Sequence, residues 1–430
     1  MTEQAQVEVE EEQLPLAIAA ADADADARPA KRVRFSTVAS SNDVTHLAIV
    51  AVDASDKDAP LAGAFFSPRF TYHAFGRQET VQGYEELRVA VLFSAYDFRV
   101  CLDVHFTEQE PGADDVVEKI SPSLPEGFTL DRAEFEDCVH TAAAAFKPLG
   151  ACVSVYSKLV DSRERHFEIY EVPLDGDDAA QQLLANLQTM ALWFIEGADR
   201  VDVADPRWVV YLTYERSEAG GSGAFAPVGY VTLFKFTNPV GRQVSGSGAQ
   251  MNETHRICQV LVFPTHQRQG HGEHLVQCIW ERAVANERVF ELTVEDPVPA
   301  FSQLRTLVDV KNCVTHGFFA LSPSESSARE SLFPAQGTTS LQPADIRVVQ
   351  RALKITLKQV QTCYEVLKLR FVDRADAEQL KKFRLEVKKR LFKLHAEELE
   401  GMGSAERRKA FLESAFQALD AQYSALLAKL

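Results

Sequence analysis

The chain has 430 residues, of which 46% are apolar and 25% are charged, and its formal net charge is −17. This length exceeds what one hydrophobic core usually serves, so we expect two or three domains. The acidic balance disfavours nucleic acid as a general ligand, and the seven cysteines, which form no Cys-x-x-Cys pair, indicate neither a zinc framework nor a disulfide scaffold.

Residues 1–42 contain too few large apolar groups to offset the entropy of ordering, which predicts a disordered tail. Eight acids fall in the first 26 residues, and a basic cluster follows at residues 31–34. Such a cluster is typical of a nuclear import signal, of a docking peptide or of a solvated linker. No run of about 18 apolar residues and no signal-peptide pattern occurs, so we expect a protein of the nucleus and cytoplasm without a membrane partner.

The rest of the chain predicts three domains and a linker. Short strand-like runs at residues 46–52 and 90–93 indicate a mixed α/β domain over residues 43–175. A second domain, residues 176–321, begins with a helix at 179–195 and continues with strands. The first strands of this domain are predicted at residues 208–214, 228–236 and 257–263.

A Ser/Pro-rich stretch, residues 322–343, predicts a linker, and residues 344–430 predict a helical C-terminal domain. Seven basic residues lie between Lys381 and Lys393. This run could bind an acidic partner, but its interleaved apolar residues favour the solvated face of an amphipathic helix.

The stretch that indicates chemistry follows the strand at residues 257–263. The segment Gln267-Arg268-Gln269-Gly270-His271-Gly272 then leads into a helix from Glu273. A strand, a glycine turn and a helix start place several backbone N–H groups around one point, which suits a pyrophosphate. The segment lacks the third glycine of the dinucleotide fingerprint and the Gly-Lys-Ser/Thr of the P-loop.

The segment resembles the coenzyme A pyrophosphate loop of the GNAT acetyltransferases. One helix later, the strand at residues 290–294 ends in Glu295-Asp296-Pro297. This strand end, Thr-x-Glu-Asp-Pro, resembles that of the type B histone acetyltransferase catalytic subunits. The resemblance extends over most of the chain, including residues 72–76, 192–196 and the basic C-terminal helices.

The resemblance implies an α+β GNAT fold, a mixed sheet with splayed central strands, preceded by a mixed α/β substrate-side domain and followed by a helical domain. It also implies acetyl-CoA as co-substrate and no metal ion. The backbone of Val260, Leu261 and Val262 should hold the pantetheine arm. The pyrophosphate should be held by Gln267, Arg268, Gln269, Gly270, His271, Gly272 and Glu273.

Acetyl transfer to lysine requires removal of a proton, because a free lysine has a pKa near 10.4. The resemblance assigns the base to Glu295 and supporting roles to Glu196 and Asp296. The plain alternatives are that Asp296-Pro297 starts the next helix and that Glu196 is a solvated acid at a helix end. We expect no cysteine at the splayed strands to act as an obvious nucleophile, which favours direct attack in a ternary complex.

The resemblance places substrate contacts in two segments. The first contains Arg77, Gln78 and Glu79, where Arg77 replaces a family acid. The second contains Phe234, Lys235 and Phe236, where the family has tyrosine. A metal site at His266, His271 and His274 is disfavoured, because their spacing matches no standard ligand pattern.

We therefore expect a histone acetyltransferase that modifies lysines in the N-terminal tail of newly synthesised histone four during chromatin assembly. The resemblance implies a WD-repeat histone chaperone as partner. Two alternatives remain open: a GNAT acetyltransferase for protein N-termini or small amines, and a non-catalytic histone-binding scaffold.

Overall fold

The computed structural model describes residues 38–52, 59–217, 225–243, 250–318, 341 and 343–430. These residues form two compact units. The first contains the described residues up to Leu233 together with Gln259–His271, and the second contains Phe234–Cys258 and Gly272–Leu430. The predicted catalytic segment, residues 176–321, contributes to both units. Most of the predicted linker lies outside the described residues.

The first unit begins with eight short strands. They are β1 (Val38–Ser40), β2 (Thr45–Val50), β3 (Phe65–Phe66), β4 (Thr80–Gln82), β5 (Tyr84–Glu85), β6 (Arg88–Ser94), β7 (Val100–His105) and β8 (Glu108–Gln109). A four-stranded sheet has the order β3-β2-β6-β7, in which β2 and β6 are parallel. The runs predicted as strands at residues 46–52 and 90–93 correspond to β2 and β6.

Residues 38–42, predicted as the end of a disordered tail, instead form β1 and the start of the first helix. The first 37 residues of the chain lie outside the described residues, but β1 pairs with β4 in the register Val38↔Gln82. The hydroxyl oxygens of Ser41 and Thr71 lie 2.6 Å apart in a buried contact. A three-residue strand is ordered by its partner, so its own composition gave no signal for it.

Four helices lie among these strands: α1 (Ser41–Val44), α2 (Tyr72–Phe75), α3 (Val116–Ile120) and α4 (Arg132–Ala145). The Asp131 side chain accepts hydrogen bonds from the backbone N–H groups of Ala133 and Glu134, which starts α4. Phe135, Val139 and Ala143 are buried and lie on one face of α4. The predicted mixed α/β character of this region is therefore confirmed.

The first unit continues with a long antiparallel hairpin, a helix and a further strand. They are β9 (Ala151–Val160), β10 (Arg163–Pro173), α5 (Asp178–Phe194) and β11 (Trp208–Arg216). Asp177 caps the N-terminus of α5, and apolar residues at helical spacing, among them Leu183 and Leu187, are buried. The helix and strand predicted here are confirmed.

Two long strands, β12 (Phe225–Gln243) and β13 (Gln250–Val262), contribute to both units. In the first unit β12 lies between β11 and the end of β13. A Cβ atom at Gly229 of β12 would lie 2.6 Å from the carbonyl oxygen of Leu261, so only glycine permits this close approach. Phe263 is fully buried, and its ring lies 5.8 Å from that of Phe98, which anchors the end of β13 in the core.

In the second unit β13 pairs in parallel with β14 (Val289–Val294), from Glu253↔Val289 to Ile257↔Val294. The helix α6 (His271–Ala285) connects the two strands, and α7 (Pro299–Thr315) follows β14. Parallel neighbours joined by a helix are typical of this strand-helix-strand unit. The GNAT fold that the sequence predicts is therefore present, with β13 running beyond its pairing with β14.

The C-terminal helices are α8 (Pro343–Leu353), α9 (Leu357–Leu369), α10 (Ala377–Leu394), α11 (Ala396–Gly401) and α12 (Ala405–Leu427). The predicted amphipathic helix is α10, which buries Phe383, Val387 and Leu391 at helical spacing. Leu385 and Phe392 lie on its exposed face. No helix in the described part of the chain has the length and apolar character needed to cross a membrane.

Candidate active site

The parallel pairing of β13 with β14 ends at Ile257, whose carbonyl oxygen accepts a 2.9 Å hydrogen bond from the Glu295 N–H group. The strand β13 nevertheless continues to Val262. Along this extension Leu261 is buried, while Val260 and Val262 alternate with it and are partly exposed. This is the strand segment that the sequence predicts as the support for the pantetheine arm.

The turn between β13 and α6 adopts a conformation that favours glycine. A short 3₁₀ helix, Pro264–His266, is followed by Arg268 at φ +63° and Gly270 at φ +83°. The Gln267 side-chain amide donates a 2.9 Å hydrogen bond to the Val262 carbonyl oxygen, which ties the turn to the strand. The helix α6 starts at His271, so its free N–H groups lie directly after the turn.

Residues of the β9–β10 hairpin lie against this turn. The Tyr156 hydroxyl lies 2.8 Å from Nδ1 of His271, and the Phe167 ring centroid lies 4.5 Å from that of His271. Nε2 of His271 lies 3.2 Å from the Gln269 side-chain oxygen, so both ring nitrogens of this buried histidine have partners. The hairpin therefore fixes the first residue of α6.

A lysine of the same hairpin lies beside the turn. A Cβ atom at Gly270 would lie 2.7 Å from Nζ of Lys158. An ammonium group next to backbone N–H groups at a helix start adds positive charge where the sequence predicts a pyrophosphate. The pattern analysis did not identify Lys158, because it lies more than a hundred residues before the turn in the chain.

An ion-pair group supports the turn from the neighbouring strand. Nε2 of His266 lies 3.5 Å from a Glu215 carboxylate oxygen on β11, and Arg165 on β10 lies 3.4 Å from the same carboxylate. The hydrogen bond with His266, followed by the Arg165 charge, lowers the pKa of Glu215. The His266 ring is thus paired with the carboxylate of Glu215.

The predicted base lies in the second unit, in the turn after β14. Half of the Glu295 side chain is exposed, at 50%, and its Oε1 atom lies 3.8 Å from Nη1 of Arg256 on β13. The Arg256 guanidinium carbon lies 4.5 Å from the Phe236 ring centroid. Phe234 and Phe236 have ring centroids 4.7 Å apart. Arg256 thus contacts both Phe236 and Glu295, and Phe236 contacts Phe234. Two predicted substrate residues are in this way connected to the predicted base.

Cys258 also contacts this carboxylate. Burial is the main cause that raises the pKa of the Cys258 thiol to about 12, and a hydrogen bond with Glu295 raises it further. A cysteine thus lies beside the predicted base, and the expectation that none acts as an obvious nucleophile stays a prediction. Because Ile257 pairs with Val294 in parallel register, the next residues of the two strands, Cys258 and Glu295, become neighbours. The thiol remains protonated near neutral pH, so it is not an activated nucleophile.

Asp296 adopts a left-handed conformation with φ +30° and is exposed. The interpretation that Asp296-Pro297 starts the next helix is wrong, because α7 begins at Pro299 after its cap residue Val298. The proline at the first helical position is preorganised for that start. Asp296 is thus part of the turn that carries Glu295, and its predicted supporting role stays a prediction.

The buried residue Lys354 contacts β14, the strand that leads to Glu295. The Lys354 ammonium group donates hydrogen bonds to the carbonyl oxygens of Ala283 and Asn286 at the end of α6. The Lys354 carbonyl oxygen accepts a 2.6 Å hydrogen bond from the Leu292 N–H group of β14. Arg305 of α7 donates a 2.7 Å hydrogen bond to the Leu292 carbonyl oxygen. These contacts fix β14 just before the turn that contains Glu295.

Glu196 and the first predicted substrate segment lie together in the first unit. Glu196 is exposed, two residues after α5 ends, and the next residue, Gly197, donates its N–H to the Tyr72 hydroxyl at 2.9 Å. Arg77 and Gln78 are exposed. The Glu79 carboxylate accepts a 2.6 Å hydrogen bond from the Thr71 N–H group, which gives it a part in shaping this loop.

Glu273 and Lys235 are the two remaining predicted site residues. Glu273 forms a 2.5 Å ion pair with Lys311 in the first turn of α6, and Lys235 is partly exposed between the two phenylalanines. Within the described ranges, no group of three His, Cys, Asp or Glu side chains is arranged to hold a metal ion.

Comparison with known proteins identifies the family. A model described as "Histone acetyl transferase HAT1 N-terminus" matches residues 37–196, and one described as "Acetyltransferase (GNAT) family" matches residues 186–300. The histone acetyltransferase type B catalytic subunit of Eremothecium gossypii is 30% identical over 400 residues, which are 91% of this chain and 91% of that protein. The chain belongs to the family of type B histone acetyltransferase catalytic subunits.

Mammalian members of the family agree with this assignment. The type B catalytic subunit of Rattus norvegicus is 30% identical over 341 residues, covering 76% of this chain and 74% of that protein. The Homo sapiens protein is 29% identical over 340 residues with the same coverage. The chain is thus an acyltransferase with a GNAT domain, and GNAT acetyltransferases use acetyl-CoA.

Four residues that the motifs did not indicate lie beside predicted site residues: Tyr156 and Lys158 in the first unit, and Arg256 and Cys258 in the second. Two of them lie on β13 directly before the recognised Gly-x-Gly turn. Alternation along that strand was a usable signal, because Arg256 and Cys258 share the face of Val260. No sequence signal connects the β9–β10 hairpin to the turn.

Proposed function

We propose that this protein transfers acetyl groups from acetyl-CoA to lysine side chains in the N-terminal tail of newly synthesised histone four. Family membership gives the histone acetyltransferase class, and the proposal adds the tail, the base and the order of steps. The observation that carries it is the Arg256 guanidinium, which is near both the Glu295 carboxylate and the Phe236 ring. An aromatic wall next to a carboxylate suits the alkyl stem and ammonium group of lysine.

The turn after β13 is the proposed site for the pyrophosphate of acetyl-CoA. The left-handed Gly270, the start of α6 and the Lys158 ammonium group fit an anion of this size. We assign the pantetheine arm to the backbone of residues 260–262, where one N–H group would stabilise the thioester oxygen as negative charge develops. Bound acetyl-CoA supplies the activated acetyl group.

Glu295 is the proposed general base. The lysine ammonium must lose a proton before its nitrogen attacks the thioester carbon, and the half-exposed carboxylate can accept this proton directly or through one water molecule. The carbon–sulfur bond then breaks and coenzyme A leaves as a thiolate, which is a stable leaving group. Asp296 and Glu196 are proposed to add negative potential that favours binding of a basic substrate.

Direct attack by the substrate amine is proposed in preference to an acetyl-enzyme intermediate. Cys258 lies at the site, but burial and the Glu295 carboxylate raise its pKa to about 12. Its thiolate is therefore a minor species at neutral pH, and the thiol form is a poor nucleophile.

We propose two segments that contact the tail, Arg77, Gln78 and Glu79 in the first unit and the phenylalanines of β12 in the second. The net charge of −17 favours a basic, lysine-rich tail over an acidic or neutral peptide. By analogy with the family we propose a WD-repeat histone chaperone as partner in chromatin assembly. We also propose that the protein acts in the cytoplasm and nucleus, where new histones are made and used.

An acceptor comparison tests this function. Labelled acetyl-CoA is offered with a histone-four tail peptide, with the same peptide carrying arginine at every lysine, and with a polyamine. We expect label on the lysines of the first peptide alone, located by mass spectrometry. Label on the second peptide or on the polyamine would support an N-terminal or small-amine acetyltransferase. Tail binding without transfer would support a scaffold.

A further inference from the structure

Arg256 lies between an aromatic ring and the carboxylate of Glu295. Its guanidinium carbon lies 4.5 Å from the Phe236 ring centroid, and its Nη1 atom lies 3.8 Å from Oε1 of Glu295. All three residues belong to the second unit. Arg256 lies near the middle of β13, and 38% of its side chain is exposed. The ring and the strand therefore restrict where the guanidinium can lie.

We infer that Arg256 is a positioning residue that holds the Glu295 carboxylate ionised and oriented toward the substrate amine. This inference rests on the proposed function, in which Glu295 accepts the lysine proton. In this role Arg256 does not contact the thioester. The Phe236 ring, besides lining the proposed substrate site, keeps the guanidinium in place.

The charge arrangement around Glu295 supports this role. Among the described residues, the Arg256 guanidinium and the Cys258 thiol of β13 face its carboxylate, and Asp296 is adjacent in its own turn. Asp296 places a like charge in the same turn as the carboxylate, and Arg256 places the opposite charge beside it. A base must be ionised to accept a proton, so we expect that removing this cation moves the acid limit of activity to higher pH.

The strand geometry explains why a side chain of β13 can reach the Glu295 carboxylate. Arg256 and Cys258 are two residues apart, so they point to the same face of the strand. The parallel register brings the end of β14 beside them, and the Glu295 N–H group donates to the Ile257 carbonyl oxygen. The backbone of Glu295 is thus tied to β13 by this hydrogen bond, and its carboxylate lies within ion-pair distance of Arg256.

The test is the pH dependence of kcat/KM for the histone-four tail peptide in Arg256→Gln and Arg256→Lys. In Arg256→Gln we expect the acid limb to move to higher pH by about 0.5 to 1 unit, so rates on that limb fall by about three- to tenfold. Rates on the plateau should change by less than about twofold. Arg256→Lys keeps the charge, so its limb should stay close to that of the native protein.

Two controls separate this role from a structural one. Arg288 lies 3.0 Å from Glu253 and its side chain is 60% exposed, so Arg288→Gln removes a comparable ion pair away from Glu295 and should leave the profile unchanged. In the Glu295→Gln background, Arg256→Gln should have no further effect on the profile. If Arg256→Gln does not fold, Arg256→Met keeps the apolar stem against Phe236 and serves the same test.

The outcomes distinguish the two proposals. An unmoved acid limb in Arg256→Gln, with activity still lost in Glu295→Gln, overturns the role of Arg256 and leaves the proposed base intact. A lower KM for the peptide and a higher kcat/KM in Arg256→Gln would overturn it as well, because the guanidinium would then compete with the substrate lysine. Full activity of Glu295→Gln would overturn the proposed function itself.

Discussion

The Tyr156 hydroxyl lies 2.8 Å from Nδ1 of His271 and thereby joins β9 to the first residue of α6. His271 is 1% exposed, and its other ring nitrogen lies 3.2 Å from Gln269. The histidine thus connects the hairpin to the Gly-x-Gly turn. The stability of the proposed acetyl-CoA site therefore depends on Tyr156, a residue that lies outside the recognised motif.

Tyr156→Phe tests this connection. Loss of the hydroxyl removes its hydrogen bond with the buried His271 ring, which costs about 1 to 3 kcal/mol of folding free energy. We expect a lower unfolding midpoint by calorimetry and a severalfold higher KM for acetyl-CoA, with little change in KM for the peptide. An unchanged KM for acetyl-CoA would show that the turn keeps its shape without Tyr156.

Lys158→Gln should weaken acetyl-CoA binding by about tenfold, or roughly 1.4 kcal/mol, because one charge-assisted contact to a phosphate is lost. Titration calorimetry on the native protein and the variant measures this directly. Arg163→Gln, an exposed basic residue of the same hairpin, is the matched control and should bind normally. Equal affinities for the native protein and Lys158→Gln would remove Lys158 from the cofactor site.

Cys258→Ser should retain activity within a few fold, since the thiol serves as no nucleophile. Intact-protein mass spectrometry of the native protein with acetyl-CoA alone should detect no acetyl group on Cys258. Because Glu295 raises the pKa of this thiol, Glu295→Gln should speed site-resolved alkylation of Cys258. An acetylated Cys258 that passes its acetyl group to peptide would replace direct attack by a two-step mechanism.

His73 introduces a pH-dependent term in stability. Burial lowers the pKa of His73 to about 4, and its two buried ring nitrogens have no hydrogen-bond partner among the described residues. The unfolded chain takes up a proton below pH 6.5, whereas the folded protein does so only near pH 4, so stability falls over this range as pH falls. Relative to His73→Phe, the native protein should lose unfolding free energy between these values in denaturant titrations. A constant difference would contradict this.

The sequence predicted the elements whose signal is local. The helical spacing of Leu183 and Leu187 located α5, and the glycines of the turn located the start of α6. The strand β1 was missed because its order depends on pairing with β4. The boundaries of the predicted domains stay predictions, although β12 and β13 each contribute to both compact units.

The same distinction applies to the site. Glu295 and the Gly-x-Gly turn carry a family pattern, so the resemblance could assign them roles. Arg256 and Cys258 join Glu295 through the parallel register of β13 and β14, which no pattern along one strand specifies. Lys158 meets Gly270 because a hairpin packs on a turn far along the chain, and this packing is tertiary.

The central claim is that Glu295 accepts the substrate proton, and the most direct test is acetyl transfer to the histone-four tail peptide by the native protein and by Glu295→Gln. Glutamine keeps the size of the side chain and removes the base. We expect kcat to fall by about a hundredfold or more, which corresponds to at least roughly 2.7 kcal/mol, with unchanged affinity for acetyl-CoA. A variant that retains more than about a tenth of native kcat would contradict the assignment of Glu295 as the base.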